Sequence, residues 1–292
     1  MFRNILFPAG LLLILFHSCS QDQTNPYPDS DLFSVEACMS PTQAGTFDIM
    51  TWNAREFPLQ GEITIRFTAD IIRKEDPDLI AFQEITREED LRDLKENLSG
   101  WESIMIAVAD LNPAILYKTS EVKLIGSATS LFPDNQAAFP RSPLLISVEH
   151  VSGLRVFIIN IHLKCCSGEV NELRRLRAAE ILKEYMDKKL PMEKVIVLGD
   201  FNDEIIPFDG TPPVFFNFIS DSLNYAFTDM EIATGDPLYW SYPGWPSHID
   251  HILITNELFD AHLSTQTLSY DLCEPSYLTK ISDHRPLMIR FN

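Results

Sequence analysis

An α/β domain spanning residues 47–292 is what this chain predicts, and three observations carry the prediction. Short apolar runs recur along the sequence, and between them lie longer segments whose apolar residues fall at three- and four-residue spacing. No internal repeat and no second linker interrupts the alternation, so one domain is the economical reading. Hydrophobic residues make up 45% of the 292, enough to bury a sizeable core.

The chain opens with a different pattern. Arg3 is followed by an apolar run to Phe16, and Ser18 precedes Cys19. Residues 1–18 therefore predict a secretory signal peptide, too short and too soon followed by polar residues to span a bilayer. A small residue before a cysteine is similar to a bacterial lipoprotein signal, which makes Cys19 the expected lipidation site. Phe16 and His17 depart from the small or aliphatic residues usual there. The expectation is an exported protein, anchored in the periplasm or at the cell surface by lipid, or else secreted. Residues 19–46, rich in Ser, Asp, Pro and Gln, read as a flexible tether. Export places Cys38, Cys165, Cys166 and Cys273 in an oxidising compartment, with three pairings open. None has CxxC spacing, so a structural zinc site is not expected.

Within the domain, FDIMTW, DLIAFQ, AILY, LLISV, RVFIINI, KVIVLG, HIDHILIT and PLMIRF read as strands. TIRFTADIIRKE, EEDLRDLKENL and VNELRRLRAAEILKEYMDKK read as amphipathic helices. LRRLR in the last of these is interleaved with Glu169, Glu172, Glu180 and Glu184, and reads as a solvated face.

Polar residues cluster at the strand ends. The first strand leaves Asn53, the second Gln83 and Glu84, and RVFIINIH carries Asn160 and His162. The buried run VIVLG ends in Asp200, with Asn202 and Asp203 close behind; HIDHILI holds Asp250, and SDHRP precedes the last strand. Desolvating an unpartnered carboxylate costs several kcal/mol or more, so such groups are usually paired, metal-bound or at a site. Taken singly, Asn53 suits a turn, Glu84 a helix start and His162 a satisfied core position. Six such interruptions in one domain point instead to polar groups converging at one mouth of a strand core. Strand alternation puts His251 on the face opposite Asp250, so His251 is not expected to be a ligand.

These residue types restrict the chemistry. Carboxylate and amide oxygens suit a hard cation, Mg²⁺ or Mn²⁺. Two histidines beside it suit phosphate esters, as proton carriers and as charge on a phosphoryl oxygen. Neither GxxxxGK[ST] nor GxSxG occurs, which leaves hydrolysis by a positioned water. The net charge of -19 argues against tight binding of nucleic acid through a basic surface.

The ordered set TWN, QE, NIHLK, GDFN, IDHI and SDHRP resembles the endonuclease/exonuclease/phosphatase superfamily over residues 47–292. The resemblance implies a four-layer α/β sandwich, two packed mixed β-sheets flanked by helices. It implies metal-binding roles for Asn53, Glu84 and Asp283, and makes Asp200 the group that orients or deprotonates water. Asn202 is its partner on the phosphate, His162 and His284 flank the scissile phosphate, and Asp250 holds His284. Arg141, in FPRSPLLI, is similar to an arginine that contacts substrate phosphate. The expected activity is a Mg²⁺- or Mn²⁺-dependent phosphodiesterase, foremost an endonuclease on DNA or RNA, with nucleic acid as substrate rather than tight partner. The alternatives are a phospholipid or a phosphorylated sugar or inositol as substrate, and an inactive surface binding module. A monomer is expected, touching membrane only through its lipid. YWSYPGW reads as a stacking platform or a packed hairpin tip, and the CCSG loop as one wall of the cleft.

Overall fold

The computed structural model describes residues 38, 43, 45–207 and 210–292. The signal peptide, the Cys19 lipidation site and most of the tether lie outside the described residues. Thirteen strands and three long helices are described: β1 (Phe47–Phe57), α1 (Glu62–Glu75), β2 (Leu79–Ile85), α2 (Glu88–Glu96), β3 (Trp101–Met105), β4 (Asn112–Lys118), β5 (Val122–Leu124), β6 (Thr129–Ser130), β7 (Leu144–His150), β8 (Arg155–His162), α3 (Glu169–Lys189), β9 (Val195–Asp200), β10 (Tyr225–Phe227), β11 (Asp250–Thr255), β12 (His262–Thr267) and β13 (Leu287–Phe291). Every strand and long helix anticipated from the sequence is present. Strands β3, β5, β6, β10 and β12 were not anticipated, being short or, like HLSTQT in β12, polar and partly exposed.

One sheet has the order β12-β13-β1-β2-β4-β3 and the other β10-β11-β9-β8-β7-β5, with β6 paired to β7. Both are mixed, as anticipated. Alternation along the strands sorts side chains into three cores. Ile49, Ala81, Ile158, Leu198, Ile252 and Ile289 meet between the sheets. Met50, Trp52, Ile80 and Phe82 face the other way, onto Ile65, Ile72 and Leu94 of α1 and α2. Ile159, Ile161, Val197 and Leu253 pack on Ala178, Leu182 and Met186 of α3. Helix, sheet, sheet and helix therefore make the four layers.

Topology fixes where the polar residues go. Each sheet has one parallel pair, β1–β2 and β8–β9, whose carboxyl ends lie together. Strand β11 runs antiparallel to β9, and β13 antiparallel to β1, so their amino ends arrive at the same edge. The ends of β1, β2, β8 and β9 and the starts of β11 and β13 thus meet at one mouth. Just below it, Gln83 Nε2 donates to Asn160 Oδ1 (2.8 Å) and Thr51 Oγ1 (3.1 Å), linking the two sheets. Asn160 and Gln83 are part of the frame under the mouth.

Cys38 is disulfide-bonded to Cys273 with Cα atoms 6.0 Å apart, while Cys165 and Cys166 are free thiols. Among the described residues, no helix is long and apolar enough to cross a membrane.

Candidate active site

Cross-strand register builds the first half of the site. His162 pairs with Asp200 across β8 and β9, and Asp200 pairs with Asp250 across β9 and β11. The even positions of these strands face the other sheet, so all three side chains project from one row into the space between the sheets. Gly199 makes the row possible. Its φ is +138°, and a Cβ there would lie 2.0 Å from the Ile161 carbonyl oxygen. Only glycine lets β8 and β9 approach this closely immediately beside His162 and Asp200.

The facing sheet supplies the second half. The register of β1 on β2 shifts between Asn53 and Phe57, and Arg55, Glu56 and Glu84 all take positive φ. Such backbone is uncommon for these residues and turns side chains out of the pleat. Asn53 Nδ2 donates to Glu84 Oε1 (3.2 Å) and, across the sheets, to Asp200 Oδ2 (2.9 Å). Glu84 Oε2 accepts from the Glu56 N–H at 2.9 Å. Arg55 Nε lies 3.6 Å from Asp283 Oδ2. Ser282 donates its hydroxyl to the Asn53 carbonyl at 2.6 Å and accepts the His284 N–H at 3.0 Å, tying SDHRP to the end of β1.

The imidazoles occupy different electrostatic settings. His284 Nδ1 lies 2.7 Å from Asp250 Oδ2, and Tyr242 packs against its ring at 4.9 Å. Burial opposes the charge on His284, but Asp250, with Asp200 and Asp283 beyond, raises it to about 10, an imidazolium. His162 is pushed well below its ordinary value by burial, with Arg141 and His284 adding to the effect. It is a neutral imidazole with Nε2 3.4 Å from Asp200 and 3.7 Å from Glu84, and Nδ1 without a partner among the described residues. Burial, reinforced by Asp250, raises the Asp200 carboxyl to about 7. Asn202, at φ +55°, donates its N–H to Asp200 Oδ1 at 2.8 Å, a short-range turn that brings its own amide to the Leu163 carbonyl (3.3 Å).

All the site residues anticipated inside the domain gather here. Glu84, Arg141, His162, Asp200, Asn202, Asp283 and His284 line one cleft of about 680 Å³. Asn53 and Asp250 lie just behind the surface, hydrogen-bonded to residues that do. Asn53 presents its NH₂ to the carboxylates, while its oxygen accepts the Arg55 N–H at 3.0 Å. Trp245 stands at the rim, 80% exposed, on a hairpin closed by Tyr242 and Ser247. Cys165, Cys166 and Ser167 form another stretch of the wall. A larger groove of about 910 Å³, between β10 and β12, contains none of the anticipated residues.

Supporting residues were missed from the sequence. Buried Asp229 accepts from His248 Nε2 (3.0 Å), from His251 Nδ1 (2.6 Å) and from the Ile252 N–H (3.0 Å). His251 Nε2 in turn donates to the Asp203 carbonyl at 2.9 Å, so both ring nitrogens carry protons. His248 Nδ1 accepts from Ser241 N–H, and Ser241 Oγ accepts the Asp250 N–H at 3.1 Å. The network thus reaches β11 and the loop that follows β9. His251 does face away from Asp250, as alternation requires. The solvated reading of LRRLR fails for Arg175, which is 2% exposed. Its Nε donates to Asp203 Oδ2 (2.8 Å) and its Nη1 to the carbonyls of Lys164 and Cys166. The helix turns this one arginine inward to satisfy loop carbonyls that would otherwise be buried unpaired.

A divalent cation fits the donor set. Glu84, Asp200, Asp250 and Asp283 crowd one mouth, and carboxylate oxygens of Asp200 and Asp250 come within 4.8 Å of one another. Asp250 Oδ1 is buried without a partner among the described residues, and Asp200 is hard to ionise there unaided. Oxygen-rich sites of this kind suit hard cations.

Comparison with known proteins agrees with this geometry. No curated protein matches the chain significantly by sequence. D. rerio TDP2 complexed with a single-strand DNA product is 15% identical, with a TM-score of 0.68 over 85% of this chain and 99% of that one. The catalytic domain of human Nocturnin with a bound sulfate anion is 20% identical, with a TM-score of 0.64 over 87% and 95%. A Bacteroides thetaiotaomicron mannosyl-6-phosphatase is 16% identical, with a TM-score of 0.61 over 83% and 98%. These identities establish a shared fold. The model of the Endonuclease/Exonuclease/phosphatase family matches residues 50–284, most of the domain and every anticipated site residue within it. With its motifs meeting at one cleft, the chain belongs to the endonuclease/exonuclease/phosphatase family.

Proposed function

We propose that the protein is an exported phosphodiesterase that uses Mg²⁺ or Mn²⁺ and acts foremost as an endonuclease on DNA or RNA. The reading is supported chiefly by one observation: a neutral imidazole, an imidazolium–carboxylate pair and a carboxyl near neutral pKa share one carboxylate-rich cleft. In this proposal Glu84 and Asp283, with Asn53 orienting Glu84, hold the cation. When bound, it neutralises phosphoryl charge and lowers the pKa of water. Asp200 takes the proton of the attacking water, a role suited to a carboxyl at about 7. Asn202 and Arg141 hold the non-bridging oxygens. His284 donates from Nε2 to developing oxyanion charge, and Asp250 fixes its ring. His162, neutral on the opposite side, accepts a hydrogen bond or completes the phosphate's surround.

The neighbour crystallised with a DNA product and the strip of cleft rimmed by Trp245 support a strand with stackable bases. The strongly acidic surface fits turnover rather than retention of such a substrate. The deciding experiment gives the purified chain Mg²⁺ and a substrate panel: plasmid DNA, RNA, sphingomyelin vesicles and sugar and inositol phosphates. Cutting of closed circular plasmid, abolished by chelation or by His162→Ala, is expected. Hydrolysis of lipid or sugar phosphate with intact plasmid moves the assignment to that substrate, and no hydrolysis with any metal leaves a binding module.

A further inference from the structure

Two thiols stand side by side on the wall of this cleft, and nothing in the proposed hydrolysis uses them. Cys165 is partly buried and Cys166 exposed, with the Cys166 thiol donating to Cys165 Sγ at 2.9 Å. Consecutive side chains of an extended chain point to opposite sides. Here Cys166 has φ +78°, and that left-handed kink brings both sulfurs to one side. The kink is held. The Arg175 guanidinium grips the carbonyls of Lys164 (2.8 Å) and Cys166 (2.9 Å), and its Nε grips Asp203 (2.8 Å). One buried cation therefore joins the dithiol to the residue after Asn202.

We propose that Cys165 and Cys166 form a modification site for low-molecular-weight disulfides, closing reversibly into a vicinal ring that is felt at the Asp203 loop. The Cys165 thiolate attacks one sulfur of the disulfide, forming a mixed disulfide and releasing one thiolate. The Cys166 thiolate then attacks the Cys165 sulfur, the ring S–S bond forms, and the second small thiolate leaves. Overall two protein thiols and one small disulfide give one protein disulfide and two small thiols. Cys165 is the attacking partner. Burial opposes its ionisation, but the Cys166 thiol and Lys164, whose Nζ lies 3.4 Å from Cys165 Sγ, bring it below the usual thiol value.

Reversibility follows from chain geometry. Adjacent Cα atoms are about 3.8 Å apart, short of the roughly 4.4–6.8 Å that an unstrained disulfide spans. Strained and exposed disulfides are the readily reduced ones. Cys38 and Cys273, at 6.0 Å, sit within the comfortable range. The ring must also rotate the Cys165–Cys166 peptide, which lies between the two carbonyls that Arg175 holds, those of Lys164 and Cys166.

The test equilibrates the full chain with mixtures of reduced and oxidised glutathione, traps free thiols by alkylation and weighs the tryptic peptides. Residues 165–174 form one peptide carrying both thiols. In oxidising mixtures this peptide becomes two hydrogens lighter and resists alkylation, and it reopens in mixtures that leave Cys38–Cys273 closed. Cys166→Ser stops at a glutathione adduct on Cys165. Alkylation of both thiols in every mixture, or their pairing with other cysteines, overturns the site. Hydrolysis on the best substrate of the panel falls severalfold when the ring closes and returns on reduction, and the double variant Cys165→Ser/Cys166→Ser does not respond. Equal turnover in the two states overturns the link to Asp203. The mass measurement stands independently of whether the hydrolase assignment holds.

Discussion

Replacing Asp250 by Asn removes one charge from a buried pair while keeping its shape. Asp250 is 1% exposed, and its Oδ2 lies 2.7 Å from His284 Nδ1. A hydrogen bond between charged partners contributes about 1.5–3 kcal/mol, against about 1 for a neutral one. The substitution also leaves the His284 imidazolium buried without the carboxylate that raises its pKa to about 10, so the ring loses charge as well as orientation. Together these amount to about 2–4 kcal/mol of lost transition-state stabilisation, or roughly 30- to 1,000-fold in kcat/KM. Steady-state hydrolysis of bis(p-nitrophenyl) phosphate measures this, with circular dichroism to establish that the variant is folded. The fall should lie in kcat. Because Asp250 acts through His284, Asp250→Asn should add little to His284→Ala, a coupling that a double-mutant cycle reads directly. A variant within threefold of the parent, or strictly multiplicative losses in the double variant, would refute the reasoning.

Three further outcomes are expected. Gly199→Ala places a Cβ 2.0 Å from the Ile161 carbonyl oxygen at φ +138°, so strands β8 and β9 must part; guanidinium unfolding should show a loss of about 3 kcal/mol or more, with turnover abolished. Asp229→Asn breaks charged hydrogen bonds to His248 and His251, and should cost about 3–5 kcal/mol in the same measurement. Asp78, raised to about 6 chiefly by burial, holds its proton in the folded state above the pH at which the unfolded chain releases it. Between pH 3.8 and about 6 the folded state therefore binds more protons, and stability falls as pH rises through that window, by up to about 3 kcal/mol. Asp78→Asn should flatten that segment of the stability–pH curve and leave the variant the more stable protein at pH 7–8, as thermal melts across the range will show.

How far the sequence could be read depended on how far each signal was local. The Asp200, Asp250 and His162 row was legible because each ends or begins a buried strand, and two-residue alternation put all three on one face. The same alternation sent His251 to the other face. Motif order then carried the layer architecture, which no single run of residues contains. Asp229 escaped because β10, which ends two residues before it, is only three residues long, too short for a periodic signal. Arg175 escaped because charge counting along a helix does not say which turn meets a loop. The pairing of Cys38 with Cys273, 235 residues apart, rests on tertiary proximity alone. Edge strands such as β12 are half solvated, so their polar sequence carries no alternation to recognise.

Underlying all of this is one claim: Glu84 at the end of β2 and Asp283 before β13, with Asn53 in β1, hold a divalent cation that supports attack on a phosphoester. The most direct measurement follows bis(p-nitrophenyl) phosphate hydrolysis by the full chain through chelation and Mg²⁺ or Mn²⁺ re-addition, beside Glu84→Gln. The account predicts turnover that stops with the chelator, returns with the ion, and requires far more ion in the variant. Turnover that persists after complete chelation, or a variant with unchanged ion dependence, would contradict it.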